Sequence, residues 1–235
     1  MTQKPNISRT LVIFSFAILV IVIVAFQPFL PVKNLTTAPL LIPASKFYFG
    51  ALSSLGILGW AATGTICLAT YFILVSNRDK KTRNFFLFSG LFTLFLLFDD
   101  LFMMHAVVFP KYLNINEKVL LALYPTLSAF MLINYRGRIA GSSYIRLFMA
   151  FGFLGLSNVV EVVYPNVNGL NRIFEDGFKF LGIVAWAIYF FDTAFAVFNY
   201  EFRRPVNRMI PKAINQERTA SEFSSLKMHS KKNTA

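Results

Sequence analysis

The sequence predicts an all-α, polytopic integral membrane protein, a bundle of about six transmembrane helices, and three observations carry that prediction. Apolar residues come in runs of about twenty, the length that crosses a bilayer as a helix. Hydrophobic residues make up 56% of the 235 positions, 28 of them Phe, and the mean hydropathy is +0.57, which is a membrane rather than a soluble composition. Lys and Arg gather between the runs and at the C-terminus, as they do on cytoplasmic flanks.

The first run, about 10–30, follows a short basic start with Lys4 and Arg9. It is longer than a signal-peptide core and offers no small-residue cleavage site, so it reads as a retained helix. Pro28 and Pro31 end it, and residues 31–46 form a loop. The second run, about 47–76, is long enough to tilt or bend. Its Gly56, Gly59, Thr63 and Gly64 are small residues that let another helix approach closely. Further spans are expected at about 85–109, 119–135 (with Pro125 as a kink), 144–164 and 174–200. The basic loops at 77–84 and 135–143 and the basic tail at 201–235 fall on one side, so both termini are expected in the cytoplasm of a cell that carries the protein in its plasma membrane.

The formal net charge of +12 sits on these flanks, so nucleic acid is not an expected partner. The expected partners are the bilayer itself and, through a largely disordered tail, anionic lipid headgroups; an oligomer or complex partner is left open. The one cysteine, Cys67, lies within an apolar run, which excludes an intramolecular disulfide or a thiolate metal cluster.

Function is expected around FLLFDDLFMMH, residues 95–105. A central Asp costs roughly 2.5 to 3.5 kcal/mol on the insertion scale, and ionisable groups inside a membrane usually face a polar interior with a functional role. At a rise of about 1.5 Å per residue, His105, Glu161 and Lys179 fall at one level, roughly 5 to 7 Å from the outer end of their helices, with Asp99 and Asp100 near the midplane at roughly 14 to 15 Å. The Lys179 side chain leans outward and those of the two aspartates inward, so a direct Lys179–Asp99 bridge is not expected. Asn158 shares the Glu161 face of its helix, and Glu175 and Asp176 lie four and three residues before Lys179, where pairs within the helix form. Glu175 and Asp176 also fit the simpler role of charges complementing a helix start. Asp192 is expected near the cytoplasmic interface, outside the group.

In its membrane-embedded acidic and histidine residues the chain resembles the superfamily of multi-pass membrane hydrolases that includes the alkaline ceramidases. Their zinc site needs three histidines and only His105 is available here, which excludes a histidine-rich zinc site. A carboxylate-rich site for a harder metal, from Asp99, Asp100, His105 and Glu161, stays open. A lysine in the last helix and acids in the third resemble the retinal proteins, from which the chain departs in having six spans and Lys179 near a helix start. Neither resemblance assigns a family, a cofactor or a catalytic residue. The leading expectation is an outward-facing polar cleft that binds or passes protons, cations or a small polar solute, with transport as its use. The alternatives are a membrane-embedded enzyme acting on lipid or a lipid-linked group, and a structural or assembly subunit.

Overall fold

In an apolar surrounding every backbone N–H and C=O must be satisfied within its own segment, and a helix does this locally. The computed structural model is accordingly helical, with no strand among the described residues, which are 7–36, 48–74, 79–164 and 171–201. In chain order the helices are α1 (Ile7–Phe26), α2 (Val32–Thr36), α3 (Ala51–Ile73), α4 (Lys80–Phe102), α5 (Phe109–Leu113), α6 (Glu117–Asn134), α7 (Arg136–Ala140) and α8 (Tyr144–Val163). The last described helix, α9, runs Asn171–Glu201. The chain divides into two compact units, Met1–Ala194 and Phe195–Ala235. Of the second, residues 195–201 are described and are helical. The expected basic tail beyond them, the 165–170 loop and most of the 31–46 loop lie outside the described residues.

Five helices, α1, α3, α4, α8 and α9, are long and apolar enough to cross a membrane, the make-up of a helical membrane protein. The expected fourth span corresponds to α6, whose apolar stretch is shorter, Ala122–Asn134. It nevertheless runs antiparallel along the height of α4. Near its start the Tyr124 hydroxyl reaches Asp99 in the last turn of α4, and just past its end the Tyr135 hydroxyl donates to the Asn84 carbonyl in the first turn of α4, at 3.3 Å.

The third span differs from the expected 85–109. Asp79 caps α4 by accepting from the Thr82 N–H at 3.1 Å, so the helix starts at Lys80. It stops at Phe102 because Met103 turns left-handed, φ 51° and ψ 46°, with its N–H bonded to the Asp99 carbonyl. A widened π turn, Met104–Val108, follows. The two aspartates therefore sit in the last turn of α4 rather than in the middle of a span.

Helices in lipid are held mainly by close packing, and glycines mark three approaches. A Cβ on Gly64 would lie 3.0 Å from the Leu94 side chain, and one on Gly90 2.8 Å from Leu68, which joins α3 to α4. Gly56 and Gly59 receive Ile183, joining α3 to α9, and Gly182 receives Leu154, joining α8 to α9. The small-residue face expected on the second span is thus used against two helices. At the centre Trp186 meets Trp60, Phe92 and Phe151 edge-on at centroid distances of 6.0, 5.8 and 5.6 Å. The indole N–H of Trp186 donates to Thr93 Oγ1 at 3.0 Å, and that hydroxyl donates to the Ser89 carbonyl.

The bundle has two distinct polar ends. At one, Arg9 of α1 and Arg146 of α8 both meet Asp192 of α9, and Arg138 of α7 lies 3.8 Å from Asp79. At the other, the C-terminal ends of α4 and α8 meet the N-terminal part of α9, and the candidate site lies there.

Candidate functional site

The left-handed Met103 is what builds the site. A non-glycine residue in that conformation costs about 1–2 kcal/mol, and here it folds the chain back so that the backbone N–H of His105 donates to Asp99 Oδ1 at 2.9 Å. The imidazole Nδ1 then reaches Asp99 Oδ2 at 2.8 Å, and the Tyr124 hydroxyl donates to the same oxygen at 2.6 Å. Asp99 is 4% exposed, so three donors compensate a buried carboxylate. On the far edge of the ring, Nε2 lies 3.5 Å from Glu161 Oε1.

Asp100 looks the other way. One of its oxygens accepts from the Trp60 indole N–H at 2.9 Å, and the other pairs with the Lys179 ammonium. The lysine thus meets Asp100 and neither Asp99 nor its own helix neighbours. Because α4 ends at Phe102, the two levels derived from a longer helix collapse into one, and the lysine stem spans the remaining gap. Asp176 faces Arg172 one turn earlier on α9, with Nε to Oδ2 at 3.7 Å, and Arg172 donates to the Thr36 hydroxyl at 3.0 Å. The buried Oδ2 of Asp176 accepts no hydrogen bond.

These groups border a cavity of about 800 Å³. Every residue singled out in the sequence borders it: Asp99, Asp100, His105, Asn158, Glu161, Glu175, Asp176 and Lys179. Its remaining wall is largely apolar and aromatic, including Trp60, Phe92, Leu96, Phe151, Leu154 and Trp186. On one side it is open. Pro125 and Ala129 of α6 and Phe148, Val159 and Val162 of α8 line it and are exposed, and among the described residues α6 and α8 are not extensively packed on each other.

A carboxylate-rich metal site does not assemble from the expected residues. Imidazole nitrogens point to opposite edges of the ring, so Asp99 and Glu161 lie on either side of His105 instead of converging with it. Among the described residues no group of three His, Cys, Asp or Glu side chains is placed to hold a metal ion. Asp192 does not border the cavity; with its side chain 22% exposed, it pairs with Arg146, which is 4% exposed.

Tyr124, Trp60 and Arg172 were not legible as site residues. An aromatic in an apolar run reads the same whether it faces lipid or a cavity, and Arg172 reads as an ordinary loop-flanking cation. Chemically, an imidazole held at Nδ1 by a carboxylate keeps Nε2 as the edge that can exchange a proton, here toward Glu161 or a molecule beside it.

A family described as Domain of unknown function (DUF8692) matches residues 12–193, a stretch that contains every residue bordering the cavity. No curated protein and no solved structure matches the chain.

Proposed function

The chain belongs to the family described as Domain of unknown function (DUF8692), and from its own geometry we propose that it holds an amphipathic molecule within the membrane. The polar end lies among Asp99, Asp100, His105, Glu161 and Lys179, and the apolar body against Leu96, Phe148, Phe151 and Leu154. One observation carries this reading: a cavity of about 800 Å³ is bordered both by the charged cluster and by a largely apolar wall. That volume falls in the range of sites for small organic ligands, roughly 300–1,000 Å³. A cation or proton pathway, the expectation from the sequence, finds less support. Asp99 and Asp100 already have their own donors, and a bare cation would have to displace the Lys179 ammonium.

Extraction of the purified protein and mass spectrometry of what leaves with it test the reading. Gly155 borders the cavity, and a Cβ there meets nothing within 4 Å, so Gly155→Leu narrows the cavity with a branched side chain that has room to stand in it. A lipid-soluble molecule recovered from wild type and lost in Gly155→Leu supports the site. Equal recovery from both overturns it.

A second reading has an observation of its own. The Asp99–His105 pair orients an imidazole edge next to the cavity, the arrangement a general base needs. In that case the bound molecule is also turned over, and His105→Gln abolishes turnover while leaving the molecule bound.

The orientation belongs to the same proposal. With α6 as a sixth crossing, both termini and the Arg138–Asp79 end face the cytoplasm of the cell membrane, and the site faces the outer half. Support comes from the basic residues Lys80, Lys81, Arg83, Arg136 and Arg138 at one end and from α6 running the height of α4. Native Cys67 is buried, so cysteines placed at Lys111 and Lys80 report cleanly. An impermeant thiol reagent added outside labels the first and spares the second; the opposite pattern inverts the protein.

A further inference from the structure

Resting on the cavity reading above, we infer that the occupant enters sideways from the bilayer between α6 and α8, and that it is a single-chain amphiphile whose polar end is a hydrogen-bond donor or a cation, an amine or an alcohol, and not a phosphate or carboxylate. The route follows from exposure. Phe148, Val159 and Val162 are 55%, 57% and 63% exposed and also line the cavity, so one apolar surface continues from the outside of the bundle to its interior. An acyl or alkyl chain crosses such a seam without leaving an apolar surrounding.

The polar end is specified by what the wall still offers. Five carboxylates border the cavity, from Asp99, Asp100, Glu161, Glu175 and Asp176, against Lys179, Arg172 and His105. The cations are engaged, Lys179 by Asp100 and Arg172 by Thr36 and Asp176. Acceptors are left in excess. Glu161 has His105 only at 3.5 Å, beyond a normal hydrogen bond, and Asp176 Oδ2 accepts no hydrogen bond although it is buried. A phosphate needs free Arg or Lys forks and N–H groups and would meet like charge here. An ammonium or hydroxyl group would supply the donors that the wall lacks, and like-charge rejection of the anion would provide the selectivity.

The chain holds two tryptophans, Trp60 and Trp186, and both line the cavity. Both indoles are buried, 2% and 0% exposed, just behind the cavity wall, so their fluorescence reports a short-range quencher held in the cavity. The protein in zwitterionic vesicles is titrated with brominated single-chain amphiphiles of equal length ending in an amine, an alcohol or a phosphate; bromine on the chain quenches indoles at short range. The signal from the cavity is the difference between wild type and Gly155→Leu. The amine and alcohol are expected to quench at concentrations at least tenfold lower than the phosphate, and Glu161→Gln is expected to shrink the advantage of the amine. Quenching by the phosphate at equal or lower concentration, lost in Gly155→Leu, overturns the polar-end assignment and leaves the cavity reading standing. Quenching that is the same in wild type and Gly155→Leu overturns both.

Discussion

Asp99 and Asp100 are adjacent in sequence and serve different partners: Asp99 gathers His105 and Tyr124, whereas Asp100 gathers Lys179 and Trp60. Adjacent carboxylates in an apolar surrounding repel each other unless each has its own donors, and replacing a repelling pair by Asn would cost nothing. Their divergence changes that expectation. Asp99→Asn keeps one acceptor for three donors and brings an amide N–H against another, a loss of about 1–3 kcal/mol. Asp100→Asn leaves the Lys179 ammonium without its counter-charge and costs a similar amount, while the double variant Asp100→Asn with Lys179→Met loses less than the two single variants summed. Thermal unfolding in detergent measures all four, and wild-type melting of both single Asn variants would contradict the pairing.

At the opposite end, Asp192 answers a buried guanidinium. Arg146 is 4% exposed, so Asp192→Asn removes a charge-assisted bond from a group that cannot turn to water, at about 1.5–3 kcal/mol. The Arg9 side chain, on the same aspartate, is 56% exposed at 3.4 Å, and Arg9→Gln is expected to cost less than about 1 kcal/mol. Equal melting shifts for the two variants would show that burial of Arg146 does not set the difference.

Two glycines should answer the same substitution with opposite sign. A Cβ on Gly182 would lie 2.7 Å from Leu154 Cγ and 3.1 Å from the Leu154 backbone nitrogen, so Gly182→Ala forces α8 and α9 apart and costs about 1–3 kcal/mol. Gly155→Ala meets open space and gains up to about 1 kcal/mol from helix propensity. Denaturation midpoints that move in the same direction would refute the packing assignment.

Asp79 gives a pH dependence. Burial pushes its carboxyl up, but hydrogen bonds from the Thr82 side chain and N–H, with Arg138 nearby, outweigh this and hold it below the usual carboxylate value. A folded-state value below the unfolded one, about 3.9, means that the carboxylate stabilises the fold above that pH and that the contribution fades as pH falls through the folded value. Asp79→Ala should cost about 0.5–2 kcal/mol as a lost helix cap near pH 7, with the gap from wild type narrowing below pH 4. A gap independent of pH would assign the effect to packing alone.

Much of the architecture was legible because hydropathy and helix rise are properties of the chain itself. The His105–Glu161 approach arises from the turn at Met103, which helix arithmetic does not contain. What was not legible had a local cause. Nothing in FMMH signals a left-handed turn, since Met103 stands where a glycine or asparagine would normally announce one, so the end of α4 is read seven residues too late, at 109 instead of Phe102. Depth along a helix can be counted from sequence, but rotation about its axis against a neighbour cannot. That is why Tyr124 meeting Asp99, Trp60 meeting Asp100, and Arg146 meeting Asp192 emerge only from the fold.

The open seam between α6 and α8 also has a thermodynamic consequence. On the α3–α4 side glycine contacts leave no slack, whereas among the described residues α6 and α8 are loosely packed, and a guest bound there would add contacts. A guest that binds the folded chain and not the unfolded one adds RT ln(1 + [L]/Kd), about 2.7 kcal/mol at a hundred times Kd. The melting temperature of the purified protein is therefore itself a binding assay: it should climb with the concentration of any molecule that fits, and it should climb less in Gly155→Leu, whose side chain narrows the space.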